Sequence, residues 1–129
     1  MKLFFDTNVL IAAFTSRGYT YDVIKDAMFK HEVYCSEYVL QEVSQNLGAK
    51  FPLSKQAIEA IMQTLKQHFI KGKTAETIED VCRDSKDNQV LADAANNDID
   101  VIITGDKDLL VLKHYKKTKI ITPKDYWKL

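Results

Sequence analysis

Val101 to Leu110, read in one-letter code as VIITGDKDLL, is the stretch that decides the fold. Val101, Ile102 and Ile103 form a run too short for a helix and rich in β-branched side chains, so it reads as a buried strand. Thr104-Gly105 then lets the backbone turn, and two carboxylates, Asp106 and Asp108, follow at once. A surface turn would explain such an ending, and so would a metal site. The same shape opens the chain, where Lys2 to Phe5 (KLFF) stops at Asp6-Thr7-Asn8.

The elements between these two strands alternate. Val9 to Phe14 reads as a helical turn broken at Arg17-Gly18, and Tyr21 to Lys30 as an amphipathic helix. Glu32 to Ser36 is a second strand. Ser36 is placed to cap a helix carrying Val39, Leu40, Val43 and Leu47, with a stop expected near Gly48. Pro52 and Ser54 open a further helix with Ile58, Ile61, Met62, Leu65 and Phe69 on one face. Periodicity lapses around Gly72, and Thr77 to Cys82 is either a strand or an extended linker. Lys86 to Asn96 is helical, a turn or short helix covers Lys107 to Leu112, Thr118 to Thr122 is the last strand, and Pro123 opens a helix ending near Trp127. Short apolar strands alternating with helices specify an α/β fold with a mainly parallel sheet, and no linker or repeat divides residues 1–129, so one domain is expected.

Ligand sites in such sheets lie beyond the carboxyl ends of the strands. Asp6 and Asp106 occupy that place. Asp87, at the start of the helix before the 101–103 strand, arrives at the same end if the crossover is right-handed. Glu42 lies between Leu40 and Val43 on the face its helix should bury, where a carboxylate is costly unless paired or bound to a cation. Taken singly, each acid also reads as a turn, helix-terminus or solvated residue. Converging carboxylates must hold protons or cations, and oxygen-only ligands favour Mg2+ or Mn2+ over zinc. His31, His68 and His114 stand at no ligand spacing.

Composition narrows the classes further. Eighteen Lys and Arg balance eighteen Asp and Glu, so net charge alone points to no polyanion or membrane. Seven lysines nevertheless fall between Lys107 and Leu129 against only Asp108 and Asp125. The two cysteines, Cys35 and Cys82, have no zinc-type spacing and suit free thiols in a reducing compartment. With no signal-like or membrane-length apolar run, a cytoplasmic protein without a membrane partner is expected. Neither dinucleotide-binding nor P-loop glycine motifs occur.

Four segments in order, FFDTNVLIAAF (4–14), CSEYVLQEV (35–43), DSKDNQVLADAA (84–95) and VIITGDKDLL (101–110), resemble the successive motifs of the PIN-domain ribonucleases, and most closely the VapC-type toxins. The resemblance spans Phe4 to Pro123. It implies a PIN-like three-layer α/β/α fold with a central sheet of about four to five strands, and cleavage of RNA that depends on Mg2+ or Mn2+ and leaves 5′-phosphate and 3′-hydroxyl ends. By motif, Asp6, Glu42, Asp87 and Asp106 become the catalytic and metal-binding acids. Asp6 and Asp106 are expected to hold the main ion, while Asp87 and Glu42 bind a second or orient the water. Asn8 and Thr104 stand where the family braces its carboxylates; Asp84 and Asp108 are accessory candidates, and Asp87 is preferred over Asp84 because it continues directly into the helix. Lys107, Lys113, Lys116, Lys117 and Lys119 are candidates to touch RNA phosphates, and Tyr19, Tyr21 or Tyr38 to stack on bases. A cognate antitoxin and a homodimer or higher homo-oligomer are the partners implied. Two other readings remain: a PIN-like scaffold that binds RNA or protein without cutting, and a Mg2+-dependent phosphoryl-transfer domain. The second is disfavoured by Asn8, where a dehalogenase-type phosphatase needs a second aspartate.

Overall fold

The computed structural model describes residues 1–16 and 18–129; the break expected at Arg17 therefore lies partly outside the described residues. Strands β1 (Lys2–Phe5), β2 (Glu32–Ser36), β3 (Ile70–Gly72), β4 (Val101–Ile103), β5 (His114–Tyr115) and β6 (Thr118–Ile121) form one sheet in the order β3-β2-β1-β4-β6-β5. All neighbours are parallel except β5, which runs antiparallel to β6. The fold class is the expected α/β one, with six strands rather than four to five. The two extra strands, IKG and HY, sit at the sheet edges and are too short and polar to show any period. Only pairing with a neighbour makes them strands. Thr77 to Cys82 is the linker alternative, with no strand in it.

The central strands are what a buried parallel sheet requires. Leu3, Phe4 and Phe5 of β1 and all of β4 are buried, as continuous apolar runs must be when helices flank the sheet. Among the described residues six helices connect the strands: α1 (Thr7–Ser16), α2 (Tyr19–Lys30), α3 (Glu37–Lys50), α4 (Lys55–His68), α5 (Ser85–Asn96) and the single turn α6 (Lys107–Leu110). A 3-10 segment, Lys124–Lys128, follows Pro123. Ser36 caps α3 by accepting from the Val39 N–H at 3.3 Å, a bond whose loss costs about 1 kcal/mol. The helix runs on through Gly48 to Lys50, because Gly48 does not take the left-handed conformation that would end it. No described helix is long and apolar enough to cross a membrane.

Topology sets the place of the site. From β1 the chain winds outward to β2 and β3, then returns to lay β4 on the other side of β1. Strand order reverses between β1 and β4, and the crevice beyond their carboxyl ends is where such sheets bind ligands. The returning segment, residues 73–84, has no secondary structure of its own until α5 pins it. Asn97 accepts from the Lys73 N–H at 2.9 Å, and Asp93 accepts from the Ala75 N–H at 2.7 Å. Asn88 accepts from the N–H groups of Val81 and Cys82 at 3.1 and 2.6 Å and donates to the Cys82 carbonyl. Gly72 admits the Asn97 amide, which a Cβ there would meet at 3.0 Å.

Candidate active site

Asp6 enters the crevice directly from β1. Its backbone N–H bonds to the Ile103 carbonyl at 3.0 Å, which ties the end of β1 to the end of β4. One carboxylate oxygen accepts from the Thr7 N–H and the other from the Thr104 hydroxyl, each at 2.8 Å. Thr104 is fully buried, and its Oγ1 also accepts from the Asp106 N–H at 3.0 Å. A single hydroxyl thus braces the side chain of Asp6 and the backbone of Asp106. This bond, rather than a special glycine conformation, turns the chain after β4. Gly105 has no positive φ, and a Cβ there would meet nothing within 4 Å.

Asp106 caps α6, accepting from the Asp108 N–H at 2.9 Å. Asp84 caps α5 in the same way through the Lys86 N–H, also at 2.9 Å. Asp87, in the first turn of α5, is 5 % exposed, and one of its carboxylate oxygens has no hydrogen-bond partner. A cavity of about 220 Å³ gathers Asp6, Asn8, Glu42, Asp84, Asp87 and Asp106. The expected acids therefore meet at one end of the sheet. A larger groove of about 780 Å³ between the 73–79 segment, α5 and β5 shares no residue with it.

Asp108 is also close: ligand oxygens of Asp87, Asp106 and Asp108 lie within 4.8 Å of one another. It does not line the acid cavity, so it flanks the cluster from outside. There Arg83 pairs with it at 2.8 Å. Glu42, half-buried on α3, faces the Tyr38 hydroxyl and lies 3.8 Å from the Lys86 ammonium.

The electrostatics follow from burial without compensation. Burial raises Asp6 above the ordinary carboxylate range, its bonds to Thr104 and Thr7 oppose that rise, and the charges of Asp106 and Asp84 add to it. Asp87 is pushed up to about 7, chiefly by burial and then by its contact with Asp106. Tyr38 is pushed up to about 12 by burial and by Glu42 beside it. Among the described residues no ion pair reaches Asp6, Asp87 or Asp106. A buried carboxylate oxygen with no partner, beside two further acids, suits a hard divalent cation.

The sequence of residues 2–108 matches the PIN domain family. The chain belongs to it. PIN domains are generally nucleases and typically use divalent metals, which accords with an all-oxygen cluster. No curated protein matches this chain. This PIN domain shares its fold with a chain of VapBC2 from Rickettsia felis, whose crystal structure holds a DNA fragment from their promoter. The TM-score is 0.69 over 95% of this chain and 98% of that one, at 11% sequence identity.

The lysines fall less simply than the acids. Lys107, Lys113, Lys116, Lys117 and Lys119 are exposed, and none lines the acid cavity of this PIN domain. Lys116 and Lys117 form the turn between β5 and β6, level with the amino ends of the parallel strands, paired to Glu79 and Asp98 at 3.1 and 3.0 Å. The cavity's own cations are Lys50 and Lys86, which sequence reading passed over, along with Asn46. A signal was present: Tyr38, Glu42, Asn46 and Lys50 are spaced by four and share one stripe of α3. Of the three candidate tyrosines, Tyr38 lines the cavity; Tyr21 packs edge-on against Phe14, and Tyr19 is half exposed.

Proposed function

We propose that this PIN domain is a Mg2+- or Mn2+-dependent ribonuclease, with Asp6, Asp87 and Asp106 as metal-holding catalytic acids and Glu42 beside them. The observation that carries the reading is the unpartnered, buried oxygen of Asp87, in the same cavity as Asp6 and Asp106. A divalent ion bound there supplies a water of lowered pKa and positive charge opposite the phosphodiester. The chain does the rest. Thr7 and Thr104 fix the Asp6 carboxylate, Thr104 fixes the Asp106 backbone, and Asn88 holds the loop that delivers Asp84 and Arg83. Lys50 at the cavity and Lys107 on α6 offer sequence-independent phosphate contacts, and Tyr38 offers a ring face to a base. Lys116 and Lys117, at the amino ends of the parallel strands, lie at the opposite end of the sheet from the cavity.

The likeness to a chain of a VapBC complex supports a toxin that acts with a cognate antitoxin, as monomer or homo-oligomer. RNA cleavage measured with Mg2+, Mn2+ or EDTA tests the enzyme, with Asp6→Asn and Asp106→Asn as controls. Metal-dependent cleavage that survives in both variants would overturn the assignment. Expression of the chain alone in bacteria tests the toxin: arrested growth, relieved by Asp6→Asn, is expected, and normal growth with abundant folded protein counts against it.

A further inference from the structure

We infer, on the nuclease reading above, that Asn46 reads a base of the RNA beside the cut and so sets a sequence preference. Tyr38, Glu42, Asn46 and Lys50 line the cavity from one stripe of α3. Being four residues apart, each stands roughly 6 Å along the helix from the next. The inner half of the stripe is engaged within the protein. The Tyr38 hydroxyl faces Glu42, and Glu42 lies 3.8 Å from the Lys86 ammonium. The outer half is not. Asn46 is half-buried, yet among the described residues its amide has no hydrogen-bond partner. Lys50, exposed at the end of the stripe, makes no ion pair among them either.

Helix stability does not explain an asparagine at this position. Asn is among the poorer formers of a helix interior, and where it occurs there its side chain often bonds the backbone nearby. Asn46 makes no such bond, while Val43 and Leu47 are buried and hold α3 against the core. The cavity wall therefore carries an unengaged amide with two donors and an acceptor. Its neighbours select the ligand. The acids take the scissile phosphate, and Lys50, about two turns beyond Glu42, suits a neighbouring phosphate, a contact blind to sequence. Asn46 stands between them, beside the intervening nucleotide. A neutral amide adds little to a phosphate, but it matches a base edge on which a donor lies next to an acceptor. Adenine, through its N6 amino group and N7, is the usual partner of asparagine. That edge is open on an unpaired base and out of reach in the deep, narrow major groove of an RNA duplex.

Sequencing the cut ends of a randomised single-stranded RNA digested with Mn2+ reads this preference directly. The wild-type chain is expected to enrich adenine about tenfold at one position within about two nucleotides of the cut, the scale of one bidentate contact. Asn46→Ala is expected to erase that enrichment. Asn46→Asp, which keeps the shape but only accepts, is expected to move it toward cytosine, an outcome that a merely structural asparagine would not produce. Lys50→Gln is expected to slow the cutting of all sequences alike and to weaken its salt dependence, with the base profile kept. An enrichment that persists in Asn46→Ala, with thermal melts confirming folded protein, would overturn the inference and leave the nuclease standing. So would a wild type that cuts with no base preference near the site. No metal-dependent cleavage of any RNA by the wild type would overturn the nuclease reading itself, and the role of Asn46 with it.

Discussion

At the amino end of the parallel strands, Asp98 pairs with Lys117 at 3.0 Å and Asp100 accepts from the backbone N–H of Lys2 at 2.8 Å. At the carboxyl end, Asp6 and Asp87 are buried, and among the described residues no ion pair reaches them or Asp106. The residue type is the same and the setting is opposite. Exposed, individually matched aspartates contribute little and need nothing further. Buried aspartates facing one another leave the free protein strained at neutral pH, and that strain is what a cation relieves. The contrast marks the carboxyl end of the sheet as the place of the candidate site, where the acids face one another in one cavity.

The largest effect should come from neutralising an inner acid. Asp6→Asn or Asp106→Asn is expected to lower RNA cleavage by at least about a thousandfold, since each would remove a ligand of the proposed ion. Asp98→Asn, at the opposite end, should leave cleavage within about twofold; a matching loss there would break the comparison. Next comes Asn88→Ala, which leaves two backbone N–H groups of the loop unsatisfied and should cost about 1–3 kcal/mol in urea denaturation. It should lower cleavage as well, although Asn88 touches no inner carboxylate.

A third prediction concerns pH. Asp87 stands at about 7 in the folded chain against an ordinary 3.8, so the native state keeps a proton that the unfolded chain releases. Its contribution to metal-free stability is complete below pH 3.8 and is lost as pH rises through about 7. In EDTA, Asp87→Asn should therefore melt higher than wild type by roughly 3–8 °C at pH 8 and by much less at pH 5. Mn2+, which competes with that proton, should raise the wild-type melting temperature more at pH 8 than at pH 5. A pH-independent difference would show that Asp87 is compensated after all. The smallest effect belongs to Lys117→Gln, at most about 1 kcal/mol, because it breaks only an exposed pair.

Legibility in the sequence followed burial. The runs of β1 and β4 announced themselves because both faces of a central parallel strand must be apolar. The edge strands at Ile70 and His114 did not, since pairing rather than composition creates them. Glu42 could be suspected from its place among Leu40 and Val43. Of its partners, Tyr38 stands four residues away on the same stripe of α3 and was legible, whereas Lys86 comes from α5 and was not. The lysine-rich tail drew attention as a possible phosphate grip, whereas Lys116 and Lys117 are spoken for by Glu79 and Asp98 at the far end of the sheet.

By itself the sequence determined the α/β class, the strand ends at which Asp6 and Asp106 emerge, and the oxygen-only character of the site, because these follow from local hydrophobic period and residue chemistry. Only the tertiary structure decided which carboxylates remain without a counter-charge. That depends on distances between β1, α3, α5 and α6, segments far apart in the chain, and on a threonine hydroxyl that joins two of them. Electrostatic need is a property of neighbours in space, and no spacing along the chain records it.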